Sequence, residues 1–518
     1  MGALSHNGAS RTSQQLGSWQ PFAGSADADT LLDLPMLTSR SRDLIRNNGI
    51  AAGYVQTLSD NVVGTNLRLI ATPDWKLLGK TQEWAHEWSN NTQAQWRIFS
   101  ERPTIDAARE LNFAGLTTLV YKAKLFNGDA VALPIWEESP FDAFATRIWL
   151  VESDRLCNPN FSVDTPNLRG GIEINNYNRA LAYHFRTTHP GDVIAGANLP
   201  GKWERVPAET PWGRRRVIYY ASKDRIGQTR GKPIFSAVIQ QFKMLDRYSN
   251  AELDSAVVNA MIAAFIETPV EYEGLVDMFG DGSAEGLKKW ANTKAKPGNR
   301  VKLSSGSIIP LYPGEKLQAF NPARPASAFS AYMESVMRHI ATGMNVPYEL
   351  MLKDFSKTNY SSARAALLEA WKFFRQERQS LVDNWATPVY ELWLEEAIDK
   401  GIIEAPGFYE NRAAYTRCRW VGSGRGWVDP VKEAQAALIR VDGQLSTLEA
   451  ECAEQGTYWE EVLEQQAREQ AKRRELGLAP PVAVKQPPGE KPDGETEPAE
   501  AGSNPDDQEQ SQPEGINE

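Results

Sequence analysis

Three cysteines in 518 residues, Cys157, Cys418 and Cys452, are too few and too far apart for a disulfide framework or a metal-spaced pair. Their scarcity suits a reducing cytoplasm. Histidine is nearly as sparse, at five. His184 and His189 have H-x4-H spacing but no acidic or thiol neighbour in sequence, so no metal site is expected. Long apolar runs are also missing. The most apolar stretch, Ala256 to Ile266, is broken by Asn259 and falls far short of the ~20 residues that cross a bilayer. The first thirty residues are rich in Ser, Gly, Ala and Gln and lack a compact apolar segment. They read as a flexible arm, not a secretory signal.

Catalytic signatures are absent too. Gly79-Lys80-Thr81 resembles the end of a phosphate-binding loop, but Asp74 stands where the first glycine should be. No G-x-S-x-G, H-E-x-x-H or paired C-x-x-C occurs, and no carboxylate pair stands out. The expectation is no catalytic residue, no cofactor and no metal. Sixteen tryptophans invite a carbohydrate-binding reading, yet most recur at helical or strand spacing with other apolar residues, which core and subunit packing explains.

What is present is a chain of 41% hydrophobic residues and mean hydropathy −0.47, long enough for several cores. Its net charge of −10 is unevenly placed. Residues 485–518 hold ten acidic groups and two lysines, which leaves the first 484 residues at −2. A protein that grips DNA tightly shows a basic body or stripe, and many phosphate contacts make a strong, salt-dependent clamp. A nearly neutral body argues against a tight DNA clamp and fits most soluble proteins.

Along the chain, helix is expected from Arg40 to Asn61 with a break at Gly49, then a Gly64 turn into a strand at Asn66 to Ala71. Thr81 to Trp96 places Trp84 and Trp88 on one helical face. Ile105 to Phe126 reads as helix ended by Asn127-Gly128. Strands follow at Ala130 to Trp136 and Thr146 to Val151, then a hairpin, Ile172 to Ile174 with Ala180 to Phe185, around Asn175-Asn176. The result is a mixed α+β body. Arg214-Arg215-Arg216, beside the apolar Val217 to Tyr220, reads as a solvated strand edge or subunit contact rather than a nucleic-acid patch. Ile226 to Glu267 reads as a long helix with Pro233 in its first turn. Short strands then mark a small lobe, and a second helix spans Ala328 to Thr342. The helix from about Ala363 is the longest, and Pro388 should kink it. Asp429-Pro430 caps a further helix. Ser446 to Glu449 and Thr457 to Glu460 read as capping boxes. From Ala479 onward too few apolar residues remain to offset ordering entropy.

Three segments carry a resemblance. Met344 to Gln379 (MNVPYELMLKDFSKTNYSSARAALLEAWKFFRQERQ) sets a polar, basic loop between two helices. Ser41 to Leu69 contains R-N-N and D-N-V-V-G-T, and Trp427 to Gly456 contains D-P-V-K-E-A-Q-A. Together, and in this order, they resemble the portal proteins of tailed bacteriophages, specifically the lambda-type portal family. The tail after about Leu478 matches nothing comparable.

The resemblance implies a portal fold: a mixed α/β wing, a long-helix stem, a small α/β clip, a long kinked helix and a helical crown, repeated in a ring. The expected divisions are a flexible arm (1–35), wing (36–225), first stem helix (226–267), clip (268–325), second stem helix (326–344), tunnel loop (345–362), long kinked helix and following segment (363–427), crown (428–477) and disordered acidic tail (478–518). It implies a homo-oligomer of twelve at one capsid vertex, assembled in the host cytoplasm. Double-stranded DNA would pass through the channel by transient, non-specific contact. Terminase would dock first and head–tail connector proteins later, with major capsid and scaffold proteins as neighbours and no membrane. Lys353, Lys357, Asn359 and Tyr360 correspond to the loop that faces DNA, where lysines would touch phosphates without reading bases. The alternatives are another phage head protein (scaffold or minor capsid subunit) or a polysaccharide-active hydrolase.

Overall fold

The computed structural model describes residues 6–194, 197–198, 201–261, 264–266, 308–310, 329–426 and 429–478. Most of the expected clip and the acidic tail beyond residue 478 lie outside them. Two compact units divide the chain, residues 1–459 and 460–518.

The N-terminal segment, expected as a flexible arm over 1–35, makes tertiary contacts in its second half. Helix α1 (Ala26–Thr30) is capped by Ser25. Its Asp27 is buried, accepting from the Thr229 backbone N–H and hydroxyl (both 2.7 Å) and from Arg169 (3.1 Å). Helices α2 (Leu34–Asn47) and α3 (Gly49–Val62) break at Asn48 rather than at Gly49. The Asn48 carboxamide oxygen accepts from the N–H groups of Ile50 and Ala51 at 3.0 and 3.1 Å, so a side-chain cap creates the break. Strand β1 (Arg68–Ala71) follows Gly64, whose φ is +67°.

Thr81 caps α4 (Gln82–Ser100) through the N–H of Trp84 at 3.2 Å. The lookalike phosphate loop thus ends in a helix cap. Helix α5 (Phe113–Asn127) starts eight residues later than periodicity suggests. Asp106 is the cause: its carboxylate accepts from the N–H groups of Ala108, Glu110 and Leu111, and such local turns compete with helix. At the other end Gly128 has φ +93°, and a Cβ there would lie 2.4–2.6 Å from the backbone of Gly231 and Lys232. Only glycine fits that crossing.

Strands β2 (Asp129–Trp136) and β3 (Thr146–Val151) pair antiparallel. Short strands β4 (Leu168–Arg169), β5 (Ile172–Ile174) and β6 (Ala180–Arg186) follow, then β7 (Val193–Ile194), β8 (Ala197–Asn198), β9 (Trp203–Pro207) and β10 (Ile218–Ala221). They give a three-stranded sheet ordered β10-β2-β3 and a four-stranded sheet ordered β4-β5-β6-β9. Apolar faces of the two sheets share a second core, with Val131, Leu156, Ile172, Tyr183 and Phe185.

The expected long helix is shorter. Residues Ile234–Ala237 form a 3-10 turn and α6 runs Ile239–Met261. Ahead of it the chain is a strap held by Thr229 and the buried Arg230, which ties residues 226–233 to tertiary partners instead of helix. Strands β11 (Ala264–Ile266) and β12 (Ile308–Pro310) pair parallel. Helix α7 (Phe329–Gly343) lies against α6, with the Tyr248 ring 4.9 Å from Tyr332 and 5.5 Å from Phe329.

Helices α8 (Tyr348–Leu352) and α9 (Tyr360–Leu381) come next, and a π turn over Val382–Ala386 joins α9 to α10 (Thr387–Asp399). The N–H of Thr387 reaches the Val382 carbonyl. Pro388 lacks an N–H and crowds the preceding turn, and the wider turn accommodates it. Helix α11 (Arg412–Tyr415) and β13 (Cys418–Val421) complete the body, β13 pairing with β1.

The main core gathers on α4, α5 and α10. The Trp96 ring lies 5.2 Å from both Trp393 and Phe113, 5.6 Å from Phe99, 5.8 Å from Trp420 and 5.9 Å from Tyr390. These tryptophans are core.

Helices α12 (Pro430–Asp442), α13 (Leu448–Glu454) and α14 (Trp459–Glu475) end the described chain. Asp429 caps α12 through Lys432 N–H at 3.2 Å. The α13 cap is Thr447, one residue after the expected Ser446, accepting from Ala450 N–H. The Thr457 hydroxyl donates to the Cys452 carbonyl.

Candidate nucleic-acid interface

Between α7 and α9 the backbone turns sharply twice. Helix α7 stops at Gly343 and Asn345 takes φ +56°. Pro347 opens α8, and Lys353, at φ +57°, closes it. The Asp354 carboxylate then accepts from Ser356 N–H (3.0 Å) and hydroxyl (2.6 Å), a local turn that shapes the rest of the loop.

The four residues singled out from the sequence have different jobs here. Lys353 is exposed at the left-handed corner. Lys357 is also exposed, and its ammonium is 2.8 Å from Glu334 on α7. Asn359 is the N-cap of α9, its carboxamide oxygen accepting from Ser362 N–H at 2.8 Å. Tyr360 is the first residue of α9 and 48% exposed. The helix therefore begins three residues before Ala363, because Asn359 rather than the serines provides the cap.

Two partners of this loop were not visible in the sequence. Arg338 sits one turn after Glu334 and binds its other carboxylate oxygen at 2.7 Å. The Arg338 guanidinium lies over the Tyr348 ring, 5.1 Å from its centroid. Hydrogen bonds from Lys357 and Arg338 hold the Glu334 carboxyl below its ordinary value, and Glu334 in turn raises Lys357. The Glu–x3–Arg spacing on α7 was the available signal; the reach of Lys357 across the loop had none.

The other candidates settle elsewhere. Arg214 is not a solvated edge residue. It is largely covered, pairing with the buried Glu395 at 3.0 Å and donating to the Leu392 carbonyl at 3.2 Å. His184 and His189 gain acidic neighbours from elsewhere in the chain, but separate ones. His184 meets Glu173 at 2.6 Å, and His189 lies 3.6 Å from Glu152 and Asp154. Among the described residues no group of three His, Cys, Asp or Glu side chains is placed to hold a metal, and no helix is long and apolar enough to cross a membrane.

Glu173 makes a testable pH element. A fork from Arg205 (2.7–3.1 Å) and a bond from His184 lower its carboxyl from 4.5 to about 2. Because the folded value is the lower one, its stabilisation is present above about pH 4.5 and disappears as pH falls toward 2. With Arg205 half exposed, the contribution is on the order of 1 kcal/mol after screening. Glu173→Gln is expected to flatten the acid limb of thermal stability; an unchanged profile between those pH values would exclude the role.

Comparison with known proteins places the chain. Residues 12–378 match the family described as phage portal protein, lambda family. Portal protein B of Escherichia phage lambda is 35% identical over 494 residues, covering 92% of this chain and 91% of that one. The portal protein of Escherichia phage N15 is 34% identical over 491 residues, with 92% of each chain covered. A chain in the virion of a native gene transfer agent particle aligns with 90% of this chain and 98% of its own, at TM-score 0.41 and 14% identity.

The chain belongs to the lambda family of phage portal proteins. It is a structural protein of a bacteriophage, not an enzyme.

Proposed function

We propose that twelve copies close into a ring at one capsid vertex, forming the channel through which double-stranded DNA enters the head and later leaves it. In this reading α6 and α7 are the stem, 268–325 the clip, α9 to α10 the long wall-crossing helix, and 428–477 the crown. The family membership is the observation that carries it. Uncovered apolar side chains on the paired helices support it: Met244 (48% exposed), Leu253 (62%), Val257 (43%) and Tyr332 (41%). A helix with so much bare apolar surface needs a neighbour. Different flanks meeting head to tail generate closed rings.

Terminase would dock on the clip during packaging, and head–tail connector proteins would replace it. Capsid and scaffold proteins would surround the ring, which would assemble in the host cytoplasm. Lys353, Lys357, Asn359 and Tyr360 would face the lumen, the lysines meeting phosphates. Mass photometry of the purified protein is expected to show a particle near twelve times 57.7 kDa; a stable monomer that forms no rings alongside its capsid partners would end this reading. Lys353→Ala with Lys357→Ala is expected to leave the ring intact while packaging or DNA retention falls. Loss of assembly in that double variant would make the loop structural instead.

A further inference from the structure

The charge around the loop is arranged in an unexpected way for a DNA contact. Lys357, the exposed cation of the Ser356–Thr358 turn, is not simply extended into solvent. Its ammonium rests on a carboxylate oxygen of Glu334 at 2.8 Å, while Arg338 occupies the other oxygen at 2.7 Å. Three elements converge on this point: α7 supplies Glu334 and Arg338, α8 supplies the Tyr348 ring under the guanidinium, and the loop supplies Lys357. The Lys357 side chain is 71% exposed and that of Glu334 only 22%. The lysine is therefore the movable partner and the carboxylate the fixed one.

We propose that Glu334 is a built-in competitor for the DNA phosphate, holding Lys357 whenever the backbone is not against it. This role rests on the reading that the loop faces DNA. A carboxylate and a phosphate oxygen offer an ammonium the same kind of charge-assisted hydrogen bond. An exposed Lys–Glu pair is weak, so passing duplex displaces it readily, and it re-forms when the phosphate moves on. A lysine without such a partner would stay on the polyanion longer, and each phosphate it neutralised would steepen the salt dependence of binding. Arg338 keeps its Tyr348 stacking throughout, which confines the exchange to one cation per subunit. The site thus trades affinity for mobility, as a conduit requires.

The test uses the assembled full-length ring and a short linear DNA duplex, with binding followed by fluorescence anisotropy across a salt series. Subunit number is checked by mass photometry for every variant. Glu334→Gln is expected to bind duplex about two- to fivefold more tightly at low salt, the gain fading as salt rises. Lys357→Ala is expected to weaken binding and make the salt slope shallower by about 0.9 for each phosphate no longer neutralised. In Glu334→Gln with Lys357→Ala, the gain should disappear. If Lys357→Ala weakens binding while Glu334→Gln leaves it unchanged or also weakens it, the competitor role is wrong and the DNA-facing loop survives. If Lys357→Ala has no effect on binding or slope, Lys357 does not meet the phosphate and this proposal fails, while binding by Lys353→Ala with Lys357→Ala separately decides the loop reading.

Discussion

Arg230→Met is expected to destabilise the chain by about 3–5 kcal/mol, the cost of stranding a buried charge. All five guanidinium donors are used. They reach Asp129 at 2.5 and 3.2 Å and the carbonyls of Leu156 (2.7 Å), Gly170 (2.9 Å) and Ser153 (3.1 Å). Asp129 is fully buried and also accepts from the Tyr219 hydroxyl at 2.9 Å. Burial alone would weaken the guanidinium's hold on its proton, but the Asp129 carboxylate reverses this and raises it. Methionine retains much of the volume and none of the donors, leaving a carboxylate and three carbonyls short of partners. Thermal denaturation should show a large drop for Arg230→Met, and also for Arg230→Lys, whose single ammonium lacks the fork geometry. Asp129→Asn with Arg230→Met should cost less than the sum of the two singles, since no lone charge remains. A single variant as stable as wild type would show that this network is dispensable.

Trp393→Ala is the second large effect, expected at about 3–5 kcal/mol. The side chain is fully buried, stacked 6.2 Å from Phe99, with Trp96 at 5.2 Å and Phe144 at 5.6 Å. Alanine would leave a cavity where α4 and α10 meet. Its indole N–H has no hydrogen-bond partner among the described residues, so Trp393→Phe should lose packing alone and cost much less. Trp385→Phe makes the contrast. The Trp385 N–H donates to the Thr117 hydroxyl at 2.9 Å in a buried setting, and losing it leaves that hydroxyl with only its own donation to the Phe113 carbonyl. Equal costs for the two Phe variants, by chemical or thermal denaturation, would refute the distinction. The same burial removes the carbohydrate-binding reading of these aromatics, which needs ring faces open to solvent.

Local chemistry was readable wherever it was strong. The turn at Asn127-Gly128, the strand Thr146 to Val151, the hairpin around Asn175-Asn176 and the Asp429 cap all stand in the structure as expected. Each depends on residues within a few positions of one another. The misses have two causes, a local side-chain cap that overrode apolar spacing and a partner distant in the chain. Asp106 suppressed a helix that apolar spacing favoured, and Asn48 rather than Gly49 broke another. The strap before α6 was read as helix because nothing local reveals that Arg230 is wanted by Asp129, 101 positions earlier.

The candidate loop divides in the same way. Its polarity, its lysines and its place between two helices are written in the chain, and so is the family pattern around it. What each residue does there is not. Lys357 found Glu334 twenty-three positions back, and away from the loop Arg214 left the surface for Glu395; the Asn359 cap is local chemistry that was overlooked. Periodicity and capping act over one or two turns, so order along the chain suffices to read them. Ion pairs and buried networks are decided by which backbones the fold brings within about 3 Å, and only the tertiary structure contains those distances.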